Sequence, residues 1–220
     1  MKINNMLTPA TALLAFLSCL IPFAADMHLP LLHGHTVTWI ENSQAILLLL
    51  GAVLTFAYMK PMRLPEGSRK FWLWSALWWV VLLGRSTSWG RDYLPELPKI
   101  VFRSISVILV AGLVLSFLLS AQLRKEIAFR MKNLSIPLWT CLLVVVTFLL
   151  ADTVEHHRLL SPLFLHDRHY QDLTEELFET PFIIGLLLIS FDFMKQEVQY
   201  KNSFSDSLLT LAYRQSMRKV

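Results

Sequence analysis

Hydrophobic positions in this chain occur in six long stretches that carry almost no charge. The stretches lie at 3–25, 42–59, 71–84, 104–123, 133–151 and 180–191. Four of them approach or exceed the ~20 residues that a helix needs to cross ~30 Å of hydrocarbon. The pattern predicts an all-α fold, a polytopic membrane helix bundle with about six transmembrane helices.

Composition supports a membrane protein. Hydrophobic residues make up 55% of the 220 residues and charged residues 16%, against roughly 25% charged in a soluble domain. Cys19 and Cys141 lie inside apolar stretches and form no disulfide or metal-site pattern. The first stretch has some features of a signal peptide, but its length favours an uncleaved first helix.

Lysine and arginine are divided unevenly between alternate loops. The inner set comprises the amino terminus, loops 60–70 and 124–132 and the tail from 192, and the outer set comprises loops 26–41, 85–103 and 152–179. The inner set carries 14 of the 20 basic residues, as the positive-inside rule requires if both termini are cytoplasmic. We therefore expect a multi-pass protein of the bacterial inner (plasma) membrane, surrounded by membrane lipids. The net charge of +4 then reflects topology, and no nucleic-acid partner is expected.

The outer loops hold most of the remaining ionisable groups. All seven histidines and eleven of the sixteen carboxylates fall there. Because the orientation was assigned from lysine and arginine alone, this asymmetry is separate information. It predicts that the outer side carries the chemistry.

Two predicted crossings are too short for the bilayer. Only fourteen uncharged residues precede Arg85, and only twelve precede Asp192, which gives helices of about 21 and 18 Å. The first of these helices spans only if Arg85 lies within its outer half, and the second only if it extends backwards through "DLTEELFET". Ionisable groups at such depth usually face a partner or a wet cavity. We therefore expect Arg85 to pair with Glu175, Glu176 and Glu179.

Other charged groups are expected at the same level. Asp152 and His156 are four residues apart, with Glu155 between them, at the outer end of the fifth segment. The prediction is a shared outward-facing polar pocket, and the alternative is an ion-pair network that only holds the helices together. The candidate catalytic residues are Asp152, His156 and Glu176, and the candidate substrate-binding residues are Glu41, Arg85, Ser86, Arg91, Arg103, Glu155, Glu175 and Glu179.

The loop "GRSTSWGRDYLPELP" at 84–98 is the most distinctive motif. Its two arginines flank small hydroxyl side chains, a composition suited to an anionic headgroup. The alternative is that Trp89 and Tyr93 anchor the interface while the arginines extend to water. Residues 85–91 resemble an "(E/R)xxSWG(Q/R)" signature of uncharacterised bacterial multi-pass membrane proteins. The resemblance implies a membrane helix bundle and no particular activity.

Known catalytic motifs give no support for a specific reaction. There is no GxSxG, P-loop or Rossmann fingerprint, and the histidines lack an HExxH spacing. The sequence therefore predicts no cofactor and no metal site. If a metal binds after all, the expected ligands are His156 and Asp152 with Glu175 or Glu176.

Three functions compete at this level. The first is an outward pocket that binds, and in one version transfers or hydrolyses, a lipid-linked or anionic substrate. The second is a non-catalytic scaffold or assembly subunit that holds a protein partner through its carboxy-terminal tail, and the third is a small-solute or proton-coupled transporter. We expect residues 1–195 to form the transmembrane domain and residues 196–220 to form a cytoplasmic tail, either a basic amphipathic helix or disordered.

Overall fold

The computed structural model describes residues 2–91, 93–94 and 96–217, with side chains as far as residue 200. Eight α-helices dominate the described chain. They are α1 (Pro9–Leu20), α2 (His35–Met59), α3 (Glu66–Ser86), α4 (Lys99–Leu119), α5 (Ala121–Asn133), α6 (Leu138–Glu155), α7 (Ser161–Phe164) and α8 (Gln171–Met217). The predicted all-α architecture is confirmed at this level, apart from one small pair of strands.

Four helical segments are long and apolar enough to cross a membrane. They cover Leu32–Arg63, Lys99–Leu119, Leu138–Glu155 and Arg168–Tyr200. A fifth, shorter apolar segment runs from Pro9 to Ala24. Large apolar side chains such as those of Val107, Ile108 and Leu119 are exposed on α4. Because a water-soluble protein rarely exposes such a continuous apolar surface, these helices define a membrane protein.

Helix α3 extends in the direction opposite to the one expected. It starts at Glu66, five residues before the apolar part, and ends at Ser86. Its 21 residues are about 31 Å long, so the missing length comes from the polar sequence before Phe71. Arg85 is the penultimate residue of α3, so it lies in the expected half of the helix but at its very end.

The fourth predicted segment is also divided differently. Helix α4 ends at Leu119, and Ser120, with extended backbone angles, caps the separate helix α5 by accepting a hydrogen bond from the Leu123 N–H at 3.2 Å. The predicted loop 124–132 is therefore helical. Ser120 favours this break because serine is a preferred residue at helix starts.

Helix α8 is the centre of the packing. It lies against α6 and α2, and α2 lies against α3. Glycines permit two of these close approaches. A Cβ atom at Gly51 of α2 would lie 2.6 Å from the Trp79 ring on α3, and one at Gly185 of α8 would lie 2.5 Å from Val144 on α6.

Helices α3, α5 and α8 are joined by a buried arginine. The Arg130 guanidinium donates to both carboxylate oxygens of Glu197, at 3.0 and 2.9 Å, and also to Glu126. Its carbon lies 4.1 Å from the centre of the Phe71 ring. The Arg130 side chain is only 7% exposed. Since a buried charge must be paired, this network fixes three helices relative to each other.

The amino-terminal residues join the same end of the bundle. Lys2–Asn4 pairs in parallel with Ser135–Pro137, with Ile3 opposite Ile136. Further along, the hydroxyls of Thr11 on α1 and Thr140 on α6 lie 2.8 Å apart and are buried. These contacts hold α1 against α6.

The start of α8 agrees with the sequence prediction. The helix begins at Gln171, so "DLTEELFET" is helical, and Pro181 lies inside it. The backbone of α8 continues to Met217. The predicted character of the tail, amphipathic or disordered, depends on side chains after 200 and residues 218–220, which lie outside the described part.

Candidate functional site

An acidic cavity lies at the end of the bundle where α2, α4 and α8 begin and α3 and α6 end. We call this the histidine-rich end, because all seven histidines lie in its loops or at the first residue of α2. The cavity has a volume of about 300 Å³. Its lining comprises Glu41, Gln44, Leu48, Leu82, Arg85, Ser86, Ser88, Glu155, Glu175, Glu176, Glu179, Phe182 and Ile183.

Helix geometry gathers three of the carboxylates on one face of α8. Glu175 and Glu179 are four residues apart, and Glu176 and Glu179 are three apart, so all three project in similar directions. The opposite face carries Leu173 and Phe178, which are buried against the bundle. The amphipathic start of α8 thus turns its acidic side toward α2 and α3.

Helix α2 reaches the same place through Gln44. This side chain is 1% exposed, and its Nε2 donates to the backbone oxygen of Glu176 at 2.8 Å and to the Thr180 hydroxyl oxygen at 3.1 Å. Pro181, the next residue, has no N–H, so this turn of α8 lacks one backbone hydrogen bond. Gln44 fixes the register of α2 and α8 at the floor of the cavity.

The expected pairing of Arg85 with the glutamates is present, but only as a loose contact. The Arg85 Nη2 atom lies 3.9 Å from the Glu179 Oε1 atom, and the side chains are 55% and 21% exposed. An ion pair this exposed contributes little stability. Arg85 therefore shapes the charge of the cavity more than it stabilises the fold.

Glu176 is the most constrained acid of the cavity. Its Oε2 atom is buried without a hydrogen-bond partner. Among the described side chains, the Trp72 Nε1 atom is the other buried polar atom in this condition. A buried carboxylate oxygen without a donor costs about 1–3 kcal/mol or more, so a donor supplied by a ligand would relieve this cost.

Two candidate catalytic residues lie beside the acidic cavity but do not line it. Asp152 binds the Arg158 guanidinium, with oxygen–nitrogen distances of 2.8 and 3.0 Å. The His156 Nδ1 atom lies 3.4 Å from Asp152 and 3.5 Å from Glu155. Of Asp152, Glu155 and His156, only Glu155 lines the acidic cavity. The single shared pocket predicted for all of them is therefore only partly formed.

Asp152, Glu155 and His156 place three ligand atoms within 4.8 Å of one another. The ligand set considered from the sequence had Glu175 or Glu176 in place of Glu155. Arg158 already neutralises Asp152, and the His156 side chain is 55% exposed.

Arg91 and Arg103 line a separate cavity. This basic cavity, of about 380 Å³, is bounded by Ser88, Trp89, Arg91, Lys99, Phe102, Arg103 and Ser106. Ser88 borders both cavities. The two arginines predicted to share the pocket of Arg85 therefore lie on the other side of the loop that follows α3.

A strained turn separates the acidic and basic cavities. Ser88, Trp89 and Gly90 all have left-handed φ angles, of 48°, 61° and 92°. Such angles cost a non-glycine residue about 1–3 kcal/mol. The turn folds Trp89 back onto α3, where a Cβ atom at Gly84 would lie 2.5 Å from its ring. The "SWG" turn thus lies between Arg85, which lines the acidic cavity, and Arg91, which lines the basic one.

An apolar cavity of about 330 Å³ lies directly beneath the acidic one. Leu82 and Phe182 line both. The other lining residues are Thr55, Phe71, Trp72, Ser75, Trp78, Trp79, Leu186, Ser190 and Phe193. Trp79 is buried against Leu48 of α2 and Ile183 of α8, and it also lines this cavity.

Two residues that shape the structure, Gln44 and Arg130, were not predicted from the sequence. Gln44 had no assigned role, although a polar residue inside an apolar helix signals an interhelical hydrogen bond. Arg130 was counted only as a cytoplasmic charge. Its spacing of four residues from Glu126 was the available signal.

Fold and site together define a helical membrane protein with an acidic cavity near one end of the bundle and an apolar cavity beneath it. No protein-family model, curated protein or solved structure matches the chain. The geometry and charge of the cavities are therefore the basis for inferring what the protein does.

Proposed function

We propose that the chain is a multi-pass protein of the bacterial inner membrane, with about six crossings and both termini in the cytoplasm. The uneven distribution of lysine and arginine supports this orientation. Helix α3 and the segment Pro9–Ala24 then supply two crossings in addition to the four long apolar segments. In this arrangement the histidine-rich end faces outward.

The proposed function is binding of an organic ammonium group in the acidic cavity. The observation that carries it is the composition of the lining, five carboxylates against one guanidinium. Charges near the hydrocarbon region interact strongly and need a counter-charge. An ammonium group supplies that charge and up to three hydrogen-bond donors, one of which suits the unpaired oxygen of Glu176.

The same charge balance disfavours the anionic substrate expected from the sequence. Arg85 would have to attract an anion while Glu179 lies 3.9 Å from its guanidinium and four further carboxylates surround it. A lipid-linked ligand remains compatible with the cavity provided that the group entering it is cationic.

A bare metal ion fits less well than an ammonium group. Calcium–oxygen distances of about 2.3–2.6 Å bring ligand atoms within about 5 Å of each other. Among the described side chains, three ligand atoms come this close together at Asp152, Glu155 and His156. That cluster lies beside the acidic cavity. The carboxylates of the lining are spread more widely, as a larger organic cation requires.

Binding rather than catalysis or transport is the function that these observations favour. His156 does not line the cavity that holds Ser86 and Ser88, so the lining does not combine a serine hydroxyl with an imidazole base. An apolar cavity lies beneath the acidic one, which gives a small cation no polar path across the bundle.

The test is calorimetric titration of the protein in lipid nanodiscs with ethylammonium. We expect saturable binding that falls at least tenfold in Glu176→Gln, a substitution that replaces the carboxyl group by an amide of the same size. Asp152→Asn is the matched control, because Asp152 pairs with Arg158 outside the lining, and should bind as the unmodified protein does. Equal heats for all three proteins would refute the proposal.

A further inference from the structure

We infer that the apolar cavity holds the hydrocarbon chain of the same ligand, so that the ligand is a single-chain amphiphile with an ammonium headgroup. This inference rests on the proposed function of the acidic cavity. It goes further because it assigns a second site, between α2, α3 and α8, and names the chemical class of the ligand.

Continuity between the two cavities is the first reason. Leu82 on α3 and Phe182 on α8 contribute to the wall of both. A group held by the glutamates is therefore next to the opening of the apolar cavity. A ligand with a polar head and an apolar chain fills both volumes without placing either part in the wrong surroundings.

The length of the apolar cavity is the second reason. On α3 its lining runs from Phe71 to Leu82, and on α8 from Phe182 to Phe193. Eleven residues of helix correspond to about 16 Å in each case. This is about half of the ~30 Å hydrocarbon core, which is the depth that one lipid chain occupies within a leaflet.

The character of the wall is the third reason. Aromatic rings form most of it, and Trp79 is held in place because α2 carries Gly51 at the point of contact. The hydroxyl of Thr55 is directed to the backbone oxygen of Gly51 at 2.7 Å, so it offers no hydrogen to the cavity. Such a wall accepts methylene groups and repels a second charged group.

Photolabelling tests the inference. The probe is a long-chain primary alkylamine with a diazirine midway along its chain, added to the full chain in nanodiscs and mapped by mass spectrometry. We expect labels on apolar lining residues such as Trp79, Leu186 and Phe193. The matching alcohol, which has no positive charge, should label these residues at least tenfold less.

Two phenylalanine substitutions provide the structural arm of the test. Ser75→Phe fills the apolar cavity and should abolish its labelling, while Ser104→Phe, at an exposed position on α4, should leave the labelling unchanged. Size-exclusion profiles and melting temperatures confirm that each variant is folded. If Ser75→Phe fails to fold, Ser190→Phe on α8 replaces it.

The possible results separate this inference from the proposed function. Labels confined to the lipid-facing residues of α4, with ethylammonium still bound, would overturn the chain site and leave the headgroup site intact. Equal cavity labelling in Glu176→Gln and the unmodified protein would show that the head and the chain are not bound as one ligand, and would also overturn the inference.

Discussion

The Gln44 side chain on α2 donates a 2.8 Å hydrogen bond to the backbone oxygen of Glu176 on α8. This bond to the peptide group positions Glu176, whose Oε2 atom is buried without a hydrogen-bond partner. This one contact joins the packing of two helices to the chemistry of the cavity. An apolar residue in its place would preserve the packing and lose the positioning.

Gln44→Leu should therefore weaken ethylammonium binding several-fold and lower stability by about 1 kcal/mol, the net value of a typical hydrogen bond. Leucine is similar in size to glutamine, so the core is not opened. Ser43→Ala is the control, because Ser43 is exposed and bonds within its own helix. Titration calorimetry and thermal unfolding in detergent measure both effects. Unchanged binding in Gln44→Leu would show that the contact is only structural.

Gly51→Ala should destabilise the bundle by about 1–3 kcal/mol, the usual cost of overpacking a tight site. The new methyl group would lie 2.6 Å from the buried Trp79 ring, so α2 and α3 must separate. Gly112→Ala adds the same methyl group on α4, where nothing lies within 4 Å, and should be neutral or stabilising. Comparable melting temperatures for the two variants would contradict the close packing of α2 and α3.

Arg130→Leu should cost about 3–5 kcal/mol, because it leaves Glu126 and Glu197 without their buried partner. Arg130→Lys should recover only part of this loss, since lysine lacks the planar fork that binds both oxygens of Glu197. Lys125→Ala removes an exposed charge from the same helix and should have little effect. Thermal unfolding of the three variants ranks their stabilities directly. An unchanged melting temperature in Arg130→Leu would show that the Arg130 network does not stabilise the fold.

The proposed orientation predicts opposite accessibility at the two ends. In a background without Cys19 and Cys141, Leu159→Cys should react with a membrane-impermeant maleimide added to intact cells. Met62→Cys should react only after the cells are opened. Both native side chains are exposed, at 99% and 65%, so burial does not limit the reaction. The reverse pattern would invert the topology and place the acidic cavity in the cytoplasm.

The sequence revealed the helices and one side of the cavity because both depend on local patterns. Apolar length predicted the helices, and the shortness of the sixth apolar stretch predicted that α8 begins at the glutamates. The same reasoning put Arg85 beside Glu179. In each case a physical requirement, enough apolar length or a partner for a charge, left few alternatives.

Other features depended on contacts between residues whose relative positions cannot be read from local sequence patterns. Asp152 was expected to face the shared pocket, but Arg158, six residues later, is close enough to bind it. Arg103 was expected beside Arg85, but the left-handed turn at Ser88–Gly90 separates them. The apolar cavity arises from the relative placement of α2, α3 and α8, which composition alone does not determine.

The central claim is that the acidic cavity attracts a cation, and the most direct measurement is the ethylammonium affinity of Arg85→Gln in nanodiscs. Removing the guanidinium removes the repulsion of the ammonium group and frees Glu179. Because the Arg85 side chain is 55% exposed, its loss should not unfold the protein. We predict affinity that rises about tenfold, or ~1.4 kcal/mol, while Glu176→Gln changes it in the opposite direction. Weaker binding in Arg85→Gln would contradict the account, since it would mean that the arginine, and not the glutamates, holds the ligand.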